Sequence, residues 1–422
     1  MYNLKDTYES VGRTMESLLD EIRDMEGKTT YITVEPKDIC FASIKSREGN
    51  QMVFYWITKD TIKNSPDKCP PLKKISVDHV NKELLEESIN STGLIICVPI
   101  DGLLTALYAS PLGISALAEK AGVGGISANT PSIFRDMHIA ESLYSLEKPL
   151  KLVIRTNEEE GREDMKLFGA VSERYKNISL EIIPETVNSF EKDGSMGMSE
   201  LRKWINRQPY TEAIVEFPDA ADELQMTYGL LDRMIPGVRV STSDVGEASV
   251  RVQGTFRIDG RSCYSVRNEV KRNHSGKVEV KDIIEEVKKS IFAEIKELPQ
   301  KLASLMDKTL GDFDLTTDEG RKKNRDILDK AVRRGIRKLH ISKTLGQKRA
   351  KELEEQLRNE FSCYTQYTEY DLAVAFLGLG DRTVGLSDNL KKQLEKAVAD
   401  APFITYQNRD DSEEIGLLPE EV

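Results

Sequence analysis

Residues Ala248 to Asp259 read ASVRVQGTFRID, and the alternation is strict. Ala248, Val250, Val252, Gly254, Phe256 and Ile258 are apolar or small, while Ser249, Arg251, Gln253, Thr255, Arg257 and Asp259 are polar. Side chains of an extended strand point alternately to opposite faces. A period of two held this long therefore specifies a strand with one buried and one polar face. Antiparallel sheets tolerate that asymmetry, whereas parallel sheets are buried on both sides. The segment SCYSVRNEV can run back beside it, with RIDGRS as the turn. The polar side of the resulting ribbon, with the residues that follow it, carries Arg251, Arg257, Arg261, Arg267, Lys271, Arg272 and Lys277. Two readings of that side stay open. It is an ordinary solvated sheet face, or it is a track for the phosphates of a polyanion. Single-stranded nucleic acid also wants aromatic faces for its bases, and Tyr264 is the one nearby aromatic not assigned to the core.

The rest of the chain divides by pattern. TYITVEP, ICFASI, MVFYWITK and GLIICVPI read as strands, and VDHVNKELLEES as a helix. Residues 1 to 27 read as one amphipathic helix, with Met15, Leu18, Leu19, Ile22 and Met25 at helical spacing. The stretch from Leu107 to Leu146 reads as helix, glycine-rich turn and helix, the second starting with Thr130 as cap and Pro131 in the first turn. KLVIRTN and MKLFGAVSERYKNI are two more strands joined by the turn EEEGRED. From Val280 the period changes. Ile284, Val287, Ile291, Ile295, Leu298, Leu302 and Leu305 recur every three or four residues, an apolar stripe that Pro299 is expected to kink or divide. Such a stripe serves as core or bundle seam, or as a subunit interface. The expected fold is α+β: a mixed, largely antiparallel sheet with flanking helices, followed by a helical C-terminal part. The regions are 1–104, 105–278, 279–408 and an acidic tail, 409–422.

Charge is unevenly spread. Arg321 to Arg349 hold twelve Lys or Arg against two Asp, a local +10 in a chain of net −11, which leaves −21 for the remainder. Within that segment Ile327, Leu328, Ala331, Val332, Ile336 and Leu339 form an apolar stripe, while Arg333, Arg334, Arg337 and Lys338 project elsewhere. Arg333 stacks on Arg337, and Arg334 on Lys338, at a spacing where like charges weaken a helix. A neutralising partner is expected: phosphate, or acidic protein surface.

Metal and nucleophile chemistry finds little support. The five cysteines, Cys40, Cys69, Cys97, Cys263 and Cys363, are odd in number and form no CxxC pair, which suits free thiols in a reducing compartment. The four histidines, His79, His138, His274 and His340, are scattered. GVGG and GLG lack phosphate-loop spacing, and SDVGEAS, though it holds Asp244 and Glu247, reads first as a turn on Gly246. No run of eighteen apolar residues suggests a membrane span.

Three stretches carry a resemblance: TALYASPLGISALAEKAGVGGISANTPSIFRDMHIAESL, the pair around VIRTN and GAVSERYKNI, and RVSTSDVGEASVRVQGTFRIDGRSCYSVRN with its following HSG. Together, over roughly residues 105–310, the chain resembles the phage- and plasmid-encoded proteins grouped as a domain of unknown function, often described as phage/plasmid-like. It departs from their pattern near the end, where YDLAVAFLGLGD stands in place of an apolar segment with Asn and Thr. The resemblance implies a mobile-element protein in a bacterial host cytoplasm, and by analogy a relation to phage single-strand annealing proteins. The expected function is non-catalytic binding of single-stranded nucleic acid in recombination or replication, with no cofactor and no metal, by a homo-oligomer. The alternative is a structural protein that self-assembles, or binds a host or phage protein, without touching nucleic acid.

Overall fold

Strand Val250–Ile258 forms as its alternation dictates. Val250, Val252, Gly254, Phe256 and Ile258 are buried, while Arg251, Gln253 and Arg257 are half-buried on the other face. A computed structural model describes residues 2–64, 67–125, 130–159, 161–230, 232–246, 249–258, 263–273, 279–383, 385–386 and 388–407. Within it, Cys263–Arg272 returns antiparallel to the first strand, with Val250 opposite Arg272 and Arg257 opposite Cys263. These two close a six-stranded antiparallel sheet in the order Glu9–Gly12, Glu200–Arg207, Thr211–Glu216, Met234–Thr242, Val250–Ile258, Cys263–Arg272.

A second sheet has eight strands, ordered Thr29–Val34, Leu150–Glu159, Arg162–Ser172, Leu103–Ala109, Leu94–Ile100, Cys40–Glu48, Gln51–Ile57, Leu72–Ser76. Leu103–Ala109 runs parallel to Arg162–Ser172, and every other pairing in it is antiparallel. The fold is α+β, with mixed, largely antiparallel sheets, flanking helices and a helical C-terminal part. Strand Leu103–Ala109 spans position 104, so residues on both sides of it share this sheet.

The seven residues of the apolar stripe are all buried. Helix Val280–Met306 lies on the apolar face of the six-stranded sheet and against helices Ile182–Asp193, Pro218–Tyr228 and Glu369–Leu377. Its closeness explains the small residue in the opening strand. A Cβ on Gly254 would sit 2.7 Å from Ile291 Cγ2 and 2.6 Å from Val266 Cγ2. Pro299 does not divide this helix, which continues to Met306 with the proline itself buried. The stripe is therefore a seam inside one chain, so the subunit-interface reading of it does not hold.

Several expected boundaries move. The helix expected over residues 1–27 is confined to Met15–Gly27, where Thr14 Oγ1 accepts from Ser17 N at the cap. Residues 2–8 instead form a strap across both sheets. Lys166 Nζ of the eight-stranded sheet donates to Leu4 O at 3.0 Å, and Gln208 Nε2, beside the six-stranded sheet, donates to Asn3 O and Lys5 O at 3.0 and 2.7 Å. The Tyr2 hydroxyl donates to Gln208 Oε1 at 2.6 Å, and burial, opposed by Arg155, pushes that phenol up to about 12. The helix expected from Thr130 begins at Ile133, with Ser132 in the cap position. The expected turn EEEGRED is mostly strand, because the hairpin arms extend to Glu159 and from Arg162.

Arg155 locks the sheets together. It has no exposed surface, and Nη2 donates to Asp244 Oδ1 at 2.7 Å while Nη1 donates to Gln208 Oε1 at 2.5 Å and to the Tyr2 hydroxyl at 3.0 Å. Asp244 follows strand Met234–Thr242 of one sheet, and Arg155 belongs to the other. Gly246, with φ of 86°, makes the turn expected of SDVGEAS, but Asp244 turns inward to Arg155 as a buried ion partner. Glu247 lies outside the described residues. Cys40, Cys69, Cys97 and Cys363 carry free thiols. Among the described residues no helix is long and apolar enough to cross a membrane.

Candidate nucleic-acid interface

Three of the five described cations of the ribbon meet carboxylates of the same chain. Arg257 grips Glu216 with both arms of its guanidinium, Nε to Oε1 at 2.7 Å and Nη2 to Oε2 at 2.6 Å. Planar, bidentate pairing of this kind is the strong form of an arginine–carboxylate contact. Arg267 donates from its backbone N and from Nε to Glu294 Oε1 at 3.0 and 3.1 Å, and its guanidinium lies 3.6 Å from the Phe403 ring centre. Arg272 pairs with Glu286. Lys271 is exposed at the sheet edge. Arg251 is half-buried, opposite Ser241 and Lys271, and its Nε has no hydrogen-bond partner among the described residues. Arg261, Lys277 and the side chain of Tyr264 lie outside the described residues.

The polar face is also partly roofed. Helix Asp388–Val398 lies over it, held by the fully buried Glu395, whose Oε2 accepts from Arg239 Nη1 at 2.7 Å and from Ser265 Oγ at 3.3 Å. A buried arginine–carboxylate pair needs close geometry and further hydrogen bonds to offset desolvation, and the serine supplies one. The face that the strand pattern left as wet or phosphate-bearing is thus largely occupied by the chain's own acids and its C-terminal helix.

The basic helix is more open. It runs Asp318–Lys338, started by Thr317, whose Oγ1 accepts from Gly320 N at 3.0 Å. Asn324, Leu328, Ala331, Val332, Gly335 and Ile336 are buried, and a Cβ on Gly335 would meet the Phe376 ring at 2.3 Å, so the helix lies hard against Glu369–Leu377. Arg321, Lys322, Lys323, Arg325, Lys330, Arg333, Arg337 and Lys338 are exposed, and Arg334 is half-buried. Arg333 Nε donates to Glu354 Oε1 at 2.9 Å on the neighbouring helix Gln347–Phe361, which also sends Arg358 to Asp329 at 2.6 Å. The expected protein neutralisation is therefore present at Arg333.

Beside the roof helix the structure gathers a group of cations that pattern reading missed. Arg202, Lys203, Arg207, Arg239, Lys391 and Lys392 line a cleft of about 180 Å3 together with Tyr210, Glu212 and Glu395. The strand register explains the assembly. Lys203, Ile214 and Arg239 sit opposite one another across three strands, and Ile205, Glu212 and Ser241 form the next row. A bulge between Leu201 and Lys203 breaks the alternation there, so the consecutive residues Arg202 and Lys203 both reach the cleft. The one legible signal was the adjacent pair Lys391–Lys392 on an amphipathic helix. A cavity of about 1110 Å3 between the sheets is lined by Asp20, Glu21, Asp24, Glu158 and Glu163 and would repel a polyanion. Among the described residues no group of three or more His, Cys, Asp or Glu could hold a metal ion.

Compared with protein-family models, with curated proteins and with solved structures, the chain matches none.

Proposed function

We propose that the chain binds single-stranded nucleic acid without performing bond chemistry, and that helix Asp318–Lys338 carries the main phosphate contacts. The observation behind this reading is the exposure of eight Lys and Arg along that one helix in a chain of strong negative net charge. Cations concentrated on one rigid element are retained against the repulsion of their neighbours, and a phosphate backbone relieves it. The ribbon contributes less in this reading. Among the described residues, Lys271 and Arg251 are its available positions, while Arg257, Arg267 and Arg272 would have to exchange carboxylates for phosphates. The mobile-element setting, a bacterial host cytoplasm and a role in recombination or replication belong to the same reading. They rest on the resemblance over residues 105–310.

The test is fluorescence anisotropy of a labelled single-stranded oligonucleotide at low and physiological salt, with wild type and with Lys322→Glu/Arg325→Glu/Arg337→Glu/Lys338→Glu. Each phosphate neutralised on a single strand contributes about 0.7 to the slope of log affinity against log salt. The variant is expected to flatten that slope by up to about 3. Wild-type chain that does not bind at low salt would refute the proposal.

A protein-interaction role is supported by a different surface. Edge strand Leu72–Ser76 is exposed along all five residues, with Leu72 and Ile75 about half exposed. An open edge with apolar side chains is a template for pairing with another chain. Self-association or a host or phage partner would use this edge, and size-exclusion chromatography of Leu72→Lys/Ile75→Lys tests it: an unchanged assembly state removes the edge from the reading.

A further inference from the structure

We propose that Cys40 and Cys97 form a redox site, at which hydrogen peroxide converts two free thiols into one cross-strand disulfide. The site shares no residue with helix Asp318–Lys338 and is independent of nucleic-acid binding. Both cysteines are free thiols in the eight-stranded sheet. Strands Cys40–Glu48 and Leu94–Ile100 are antiparallel neighbours there, and their register sets Cys40 directly opposite Cys97. Opposed residues of antiparallel strands lie about 4.5 or 5.5 Å apart at Cα, inside the roughly 4.4–6.8 Å that disulfides span. Opposed side chains also leave the same face of a sheet. Both cysteines accordingly pack in one apolar cluster with Ala42, Phe54 and Ile95, while Phe41 and Ile96 belong to the cluster on the other face. Cys40 and Cys97 form the end rung of this pairing, where the two backbones are least constrained and can adjust to a bridge.

Exposure divides the roles. Cys40 is half-buried and within reach of a small oxidant, whereas Cys97 is buried. Burial and then Asp38 raise the Cys40 thiol, with the Lys73 ammonium acting against them. Burial, and after it Cys40 itself, push the Cys97 thiol up to about 12. The thiolate is the attacking form, so the more accessible Cys40 reacts first. Its sulfur attacks one peroxide oxygen and the O–O bond breaks. The other oxygen leaves as water with the thiol proton, and Cys40 becomes a sulfenic acid. Cys97 then attacks the Cys40 sulfur, the S–O bond breaks, and a second water leaves with the Cys97 proton. Two thiols and one hydrogen peroxide thus give one disulfide and two waters, with each sulfur oxidised by one electron and each peroxide oxygen reduced by one. The bridge carries no charge to desolvate. Its reduction has to expel one of two raised thiols as a thiolate, which is slow. It would close a loop holding the fifty-six residues from Phe41 to Ile96, among them the exposed edge strand Leu72–Ser76.

The experiment treats the folded full chain with hydrogen peroxide, alkylates the remaining thiols in denaturant, and maps the peptides by mass spectrometry without reduction. The expected product is a Cys40 peptide joined to a Cys97 peptide, two hydrogens lighter than the free pair and released by dithiothreitol. Cys97→Ala should abolish it and let Cys40 oxidise beyond the sulfenic acid. Cys40→Ala, at the half-buried position, should abolish it and leave Cys97 a free thiol, which keeps the test decisive even where Cys97→Ala fails to fold. The proposal is overturned if wild-type Cys40 is found only as a sulfinic acid with Cys97 still a free thiol. It is equally overturned if the bridge joins two copies of the chain, or forms only after unfolding in urea.

Discussion

Removing the Asp244 carboxylate should damage this protein more than any surface change. Arg155 has no exposed surface and Asp244 has almost none, and their 2.7 Å contact joins the two sheets. In Asp244→Ala the guanidinium keeps its hydrogen bonds to Tyr2 and Gln208, so what disappears is charge compensation. An uncompensated buried charge costs about 3–5 kcal/mol. Net stabilities run roughly 5–15 kcal/mol, so the loss is a large share of the total. Arg155→Met alone also strands a charge, that of Asp244. The double variant Arg155→Met/Asp244→Ala strands neither and should be less destabilised than the two single costs combined, by about 1–3 kcal/mol. Urea unfolding followed by tryptophan fluorescence reads all four members of the cycle, with the buried Trp204 reporting on the six-stranded sheet. Costs that add to within about 0.5 kcal/mol would mean the pair is not coupled and the reasoning is wrong.

Gly335→Ala should destabilise by about 1–3 kcal/mol, because the new methyl meets the Phe376 ring; helix propensity alone predicts a gain of up to about 1 kcal/mol, so the sign measured by urea unfolding decides. Ile291→Ala should cost about 2–5 kcal/mol while leaving the elution volume on size exclusion unchanged, since the stripe is internal; a shift in assembly state would contradict that. Burial pushes the Cys97 thiol up to about 12, so near pH 8 only about one molecule in ten thousand holds it as thiolate. Iodoacetamide should then label the exposed Cys69 and Cys363 and spare Cys97, read by peptide mass spectrometry; equal labelling would refute it.

Legibility followed the range of the interaction. The strand pair Val250–Ile258 and Cys263–Arg272 and the stripe of helix Val280–Met306 were readable because burial imprints a period on neighbouring residues. The basic helix was readable for the same reason, with its buried stripe and its exposed cations where the spacing put them. The strap of residues 2–8 was not. Its bonds run from backbone carbonyls to Lys166 and Gln208, more than 160 residues away, and leave no periodic trace. The cleft was hidden by a bulge, which puts Arg202 and Lys203 on one side where alternation would separate them.

Local pattern alone determined that this chain makes antiparallel strands with one polar face, a long helix to pack on the other face, and a second helix crowded with positive charge. Those are consequences of side-chain geometry along a strand or helix, and they need no knowledge of what lies across the space. Tertiary structure decided what each charge faces. Arg257 lies against Glu216, Arg267 against Glu294 and Arg155 against Asp244, while Arg202, Lys203, Arg207, Arg239, Lys391 and Lys392 converge on one cleft. Electrostatic energy depends on distance and burial in three dimensions, and a sequence orders its charges along only one.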